Sequence, residues 1–94
     1  MKSRAACTEI LATYIMLTWD ESIVPLPSVT RNDPVLARGW RLDCAHSLTL
    51  LLKDEMARPD PSPRRLERRC LAYLKHLTDI VQTHNIAALL QPED

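Results

Sequence analysis

An all-α fold is what this sequence predicts: a small three-helix or three-plus-one bundle with proline-rich connections, in antiparallel up-down-up order. Three observations point there. From Leu66 to Ala88 the residues Leu66, Cys70, Tyr73, Leu74, Leu77, Ile80, Val81, His84, Ala87 and Ala88 recur at helical spacing. Stepping about 100° per residue gathers them into an arc of roughly 140°, with Glu67, Arg68, Lys75, Asp79 and Gln82 outside it. Prolines then cut the rest of the chain into long uninterrupted runs. Finally, there is one glycine and no phenylalanine, whereas a sandwich or barrel needs glycines for its hairpin turns.

The elements follow from the punctuation. Helix 1 is expected over about 3–22, a proline-containing connection over 23–32, helix 2 over about 33–57, a proline-rich turn over 58–62, and helix 3 over about 63–90 with a break near Asn85. Pro25 and Pro27 hold the first connection extended, because each fixes its own φ and biases its predecessor away from helix. That connection is long for a bundle loop, so it is expected to lay Ile23, Val24 and Leu26 across the helices. Pro59, Pro61 and Pro63 make the second joint stiff. Asp33 before Pro34, and Ser62 before Pro63, each set a capping oxygen ahead of a proline at the first helical position, where a missing N–H costs nothing.

Helix 2 carries Ala37, Trp40, Cys44, Ala45, Leu48, Leu51, Leu52 and Met56 on one face, with Val35, Leu36, Leu42 and Leu50 pointing away from it. An almost all-round apolar helix is expected to be buried, which places helix 2 centrally between helices 1 and 3. Gly39, in its first turns, costs about 1 kcal/mol against alanine and suggests the close approach of a neighbour there, such as the packing partner of Trp40. Helix 1 has two apolar faces. Cys7, Ile10, Leu11, Tyr14 and Leu17 form one that the bundle can absorb; Ala12, Ile15, Met16 and Trp19 form a second that three rods have no obvious room for.

Composition bounds the function classes. The 94 residues make one domain, 46% hydrophobic and 26% charged, which is too apolar for disorder. Twelve basic and twelve acidic side chains cancel to +0, whereas nucleic-acid domains commonly carry a large positive excess. Three cysteines form an odd, widely spaced set within apolar helical patterns, so they read as free core thiols in a reducing cytoplasm and not as a disulfide framework. Lys2 and Arg4 before an apolar stretch imitate a signal peptide, but Glu9 interrupts it and no small-residue cleavage site precedes Asp20. No run reaches the roughly 20 apolar residues of a membrane span.

No pattern supplies catalytic chemistry. Cys44 and His46, Cys70 and His76, and His76 and His84 all miss the i, i+4 spacing of a helical zinc site, and no CxxC occurs. A single glycine excludes a P-loop, a GxGxxG turn and a nucleophile elbow. The adjacent acids Asp20–Glu21 and Asp54–Glu55 lie at helix ends, which suits solvation. His84 falls within the apolar stripe of helix 3, near the start of helix 2 and within reach of Leu36 or Trp40, either at the edge of the core or buried and pH-sensitive. No cofactor, metal or small-molecule substrate is expected.

The strongest charge signal is Arg64-Arg65-Leu66-Glu67-Arg68-Arg69. Arginines at a helix N-terminus oppose the macrodipole, so compensation is required. Asp54, Glu55 and Asp60 would lie at the same end of an antiparallel hairpin and can supply it, leaving an acidic protein, or less readily a nucleic acid, as the external partner. The expected function is accordingly a non-enzymatic helical protein–protein interaction module: an adaptor, inhibitor, regulator or chaperone-like subunit that binds another protein or itself. Its expected contacts are Ala12, Ile15, Met16 and Trp19, flanked by Arg64, Arg65, Arg68 and Arg69. A nucleic-acid-binding regulator using the arginines, and a thiol- or metal-dependent enzyme using Cys44 or Cys70, are the alternatives.

Overall fold

The computed structural model describes residues 2–90, which form three helices, α1 (Lys2–Leu17), α2 (Pro34–Met56) and α3 (Pro63–Leu90), with a single 3-10 turn at Ser28–Thr30 between the first two. All three pairs of helices pack together. Arg4 and Thr8 of α1 share a pocket with Leu52 and Met56 of α2, while Trp19 and Glu21, just past the end of α1, meet Arg41 early in α2. The two helices are therefore antiparallel. Ile10 and Tyr14 line a shallow groove with Glu67, so α1 and α3 run side by side in the same direction.

The core is a column of Cys7 and Tyr14 from α1, Cys44 and Leu48 from α2, and Leu66, Cys70, Leu74 and Leu77 from α3, closed by Val24 from the connection. That connection crosses the bundle as expected for two of its three apolar residues, since Val24 and Leu26 are buried while Ile23 stays largely outside. Thr30 Oγ1 donates to the Pro27 carbonyl at 2.8 Å, fixing the 3-10 turn.

Both predicted caps form. The Asp33 carboxylate accepts from the backbone N–H groups of Val35 at 3.0 Å and Leu36 at 3.3 Å, and Ser62 Oγ accepts from that of Arg65 at 3.2 Å. α1, in contrast, stops at Leu17 instead of about residue 22. Two side chains compete for its backbone there: Thr18 Oγ1 donates to the Ile15 carbonyl at 2.6 Å, and the Asp20 carboxylate accepts from Ser22 N at 2.9 Å and from Ser22 Oγ at 2.6 Å.

Three further expectations are corrected. α3 does not break at Asn85; the Asn85 side chain instead accepts a hydrogen bond from Ser28 N at 2.8 Å, tying the 3-10 turn to the intact helix. α2 is neither central nor buried all round. Val35, Leu36, Leu42 and Leu50 are half or more exposed, because each helix of a three-membered bundle keeps an outer face. Gly39 has no neighbour within 4 Å of where a Cβ would stand, so nothing approaches it closely.

The joint between α2 and α3 is ionic. Glu55 is fully buried, which overturns the expectation of a solvated carboxylate. Arg65 Nε donates to both its oxygens, at 3.1 and 2.9 Å, and Ser62 N donates to it at 3.1 Å. Arg69 Nη1 stands 3.6 Å away and Arg58 Nε 4.0 Å. A buried charge with this many donors is stable only while they remain in place.

Replacing Glu55 with Ala is expected to cost about 3 kcal/mol, lowering Tm by roughly 15 °C for a domain of this size. The hydrogen bonds from Arg65 hold the Glu55 carboxyl at about 2, against an ordinary 4.5. Its stabilisation is therefore complete above pH 4.5 and is lost as the pH falls towards 2. In acid titrations followed by circular dichroism, Glu55→Gln should lose that part of the slope. Gly39→Ala is expected to stabilise by about 0.5–1 kcal/mol in urea denaturation, because the added methyl meets open space and the helix gains propensity.

Candidate functional site

The second apolar face predicted for α1 divides in the structure. Ile15 packs against the core and is not free for a partner. Trp19 lies beyond the last turn of the helix, 46% exposed, with the Arg41 guanidinium 5.1 Å from its ring centroid. Arg41 in turn pairs with Glu21 at 3.2 Å. Stacking of this kind contributes about 0.5–1 kcal/mol at an exposed site, so one face of the indole is already engaged. Met16 and Ala12 remain outside, with Met16 73% exposed.

The arginine run divides as well, by helical phase. Arg65 and Arg69 turn towards α2. Arg65 closes on Glu55 and donates to the Asp60 carbonyl at 3.0 Å, and Arg69 Nη1 lies 2.6 Å from Asp54. The acids Glu55, Asp60 and Asp54 thus offset, from within the chain, the adverse placement of these two arginines at a helix N-terminus. Arg64 and Arg68 point outward, exposed, and have no ion-pair partner among the described residues. Four candidate partner-binding arginines thus become two structural and two free.

His84 is exposed. It does share a cleft with Trp40, together with Pro27, Val29, Thr30, Ile80 and Val81, close to the predicted contact. The indole N–H of Trp40 is buried without an acceptor, as is Arg41 Nε. Among the described residues no group of three His, Cys, Asp or Glu side chains could hold a metal ion, and no helix is long and apolar enough to cross a membrane.

All three cysteines are free and buried. Burial pushes the thiols of Cys7 and Cys44 upward, and that of Cys70 to about 11. A thiol in this range is protonated at neutral pH and is a poor nucleophile. Sequence reasoning brought Glu55 to the arginines but missed its burial. As one acid of an adjacent pair at a helix end it reads as solvated, and only its place beneath Arg65 and the Ser62 backbone shows it removed from water. The exposed Leu42 and Leu50 were visible as apolar residues off the main face of α2, a signal consistent with either burial or an outer surface.

The chain matches no protein-family model, and it resembles no curated protein and no solved structure.

Native-state labelling with a soluble thiol reagent is expected to be slow at Cys7, Cys44 and Cys70, and to become fast for all three together on unfolding in denaturant. Mass spectrometry of the labelled chain reads both rates.

Proposed function

We propose that this protein is a non-enzymatic helical interaction module that acts by presenting an apolar helix edge and flanking arginines to another protein or to itself. The observation that carries this is Met16, a large apolar side chain 73% exposed on a well-formed helix. On the next parallel helix stand Arg64 and Arg68, exposed and unpaired among the described residues. Within this reading Ala12, Met16 and the free face of Trp19 make the apolar contact, and Arg64 and Arg68 supply charge. Methionine adapts to varied partners, and tryptophan and arginine are enriched where binding energy concentrates. Arg65 and Arg69 hold the helix that displays the others. A cytoplasmic, reducing setting suits three free buried thiols.

The roles that fit are those of an adaptor, inhibitor, regulator or chaperone-like subunit, none of which needs a catalytic centre. A photo-crosslinking amino acid at position 16, activated in cells expressing the protein, is expected to give protein adducts. The same probe at Thr83, on α3, should give few. Absence of protein adducts at position 16 would end the proposal.

A further inference from the structure

The side-by-side packing of α1 and α3 makes one face of the molecule complementary to itself. Ala6, Glu9, Ile10, Thr13 and Tyr14 line the groove between these helices, with Glu67 on the α3 side. The rims of that groove differ in character. On α1, Glu9, Thr13 and Met16 follow at i, i+4, i+7 and share one face. On α3, Arg64, Arg68, Leu71 and Lys75 do the same at i, i+4, i+7, i+11. Met16 is 73% and Leu71 59% exposed, and Glu9, Arg64, Arg68 and Lys75 are exposed too. Among the described residues neither Glu9, Arg64 nor Arg68 has an ion partner. One rim is acidic and apolar; the other, apart from Glu67 at the groove itself, is basic and apolar.

A two-fold axis parallel to the helices sets α1 of one copy beside α3 of another without shifting either along the bundle. The levels then match. Ile10 stands level with Glu67 in the chain itself, so at about 1.5 Å per residue Glu9 arrives within one turn of both Arg64 and Arg68 of the second copy. Met16 arrives within one turn of its Leu71. Two-fold symmetry makes each contact twice.

From this the geometry points to a second copy of this chain as the occupant of the α1–α3 face, in a parallel two-fold dimer held by paired Glu9–Arg64/Arg68 and Met16–Leu71 contacts. This rests on the interaction-module reading and names its partner. The face is about 24 Å long, the length of the 16-residue α1, on a bundle 20 Å across. That is a small interface, at the low end for specific pairs, so the dimer is concentration-dependent. A net charge of +0 offers no general repulsion against it. A nucleic acid would also suit the arginines, but Leu71, between Arg68 and Lys75, and Met16 at the end of the facing row favour a protein surface.

The test is charge reversal read by sedimentation equilibrium. The wild type is expected to dimerise, more weakly as salt is raised. Glu9→Arg and Arg68→Glu should each raise the dissociation constant at least about ten-fold, and the double variant should recover to within about three-fold of wild type. Unchanged thermal melting of the three variants shows that the exposed substitutions leave the fold alone. A wild type that stays monomeric at the highest concentrations overturns the dimer, whether or not heparin then binds the arginines. So does a dimer indifferent to the reversals, or one the double variant fails to restore. The module reading fails separately, since a monomer whose position 16 still cross-links another protein loses only the self-pairing.

Discussion

Glu55 is the point on which the arrangement of the helices turns. A carboxylate removed from water carries a penalty of several kcal/mol unless donors surround it, and here the donors come from beyond the proline joint: the Ser62 backbone and the Arg65 side chain, with Arg58 and Arg69 close by. Any slip of α3 against α2 would strand the charge. The interaction therefore specifies register more than it adds net stability, which apolar residues of equal volume could supply. Once the register is set, Cys44 and Leu48 meet Leu66, Cys70 and Leu74 in one column. α1 then closes the third side with Cys7 and Tyr14, and Val24 covers the remaining edge.

The same pair governs the outer surface. Arginines four apart lie on one side of a helix and neighbours in sequence lie about 100° apart. Turning Arg65 and Arg69 inward to the acids of α2 therefore turns Arg64 and Arg68 outward, on the side of α3 that borders α1. The free positive charge and the exposed edge of α1 are thus brought to adjoining surfaces by a buried contact that belongs to neither.

Much of this was legible in the sequence because it is written in local rules. The stripe of α3 from Leu66 to Val81, the two proline joints, and the caps at Asp33 and Ser62 each depend on residues within a turn of one another. The stripe is buried or half-buried there save Ile80, but not beyond, where His84, Ala87 and Ala88 are exposed because α1 does not reach them. The internal account of the arginines also followed, since an antiparallel hairpin must bring Asp54 and Glu55 to that end. What did not follow depends on contacts distant in sequence. α3 runs unbroken through Asn85, whose side chain is engaged by the backbone of Ser28, far along the chain. Ile15 belongs to the core because it adjoins Leu11 at the flank of the predicted face, where neighbouring parts of the bundle reach it, although its spacing groups it equally well with Met16 and Trp19. The outer leucines of α2 misled for a different reason: periodicity reports where apolar residues lie on a helix, but a residue facing out and a residue facing a third helix have the same spacing.

Exposed apolar side chains alone say little about binding. A bundle 58 Å long and about 20 Å across has too little interior for all the leucines it encodes, and isolated ones on its surface need no explanation. Position relative to charge separates them. Val35 and Leu36 stand in the first turn of α2, beside the capping Asp33, where a short apolar pair is common. Met16 and Leu71 are different, because their rows lie side by side on the α1–α3 face and carry exposed charges of opposite sign, Glu9 in one and Arg68 in the other, neither with an ion partner among the described residues, whereas the row of Val35, Arg38 and Leu42 on α2 carries one sign alone. Solvent satisfies such charges at little cost, so the free chain loses nothing by displaying them. A facing surface with the opposite order of charge gains both an ion pair and a dry apolar contact from the same approach, and the rows on α1 and α3 carry those opposite orders on one molecule.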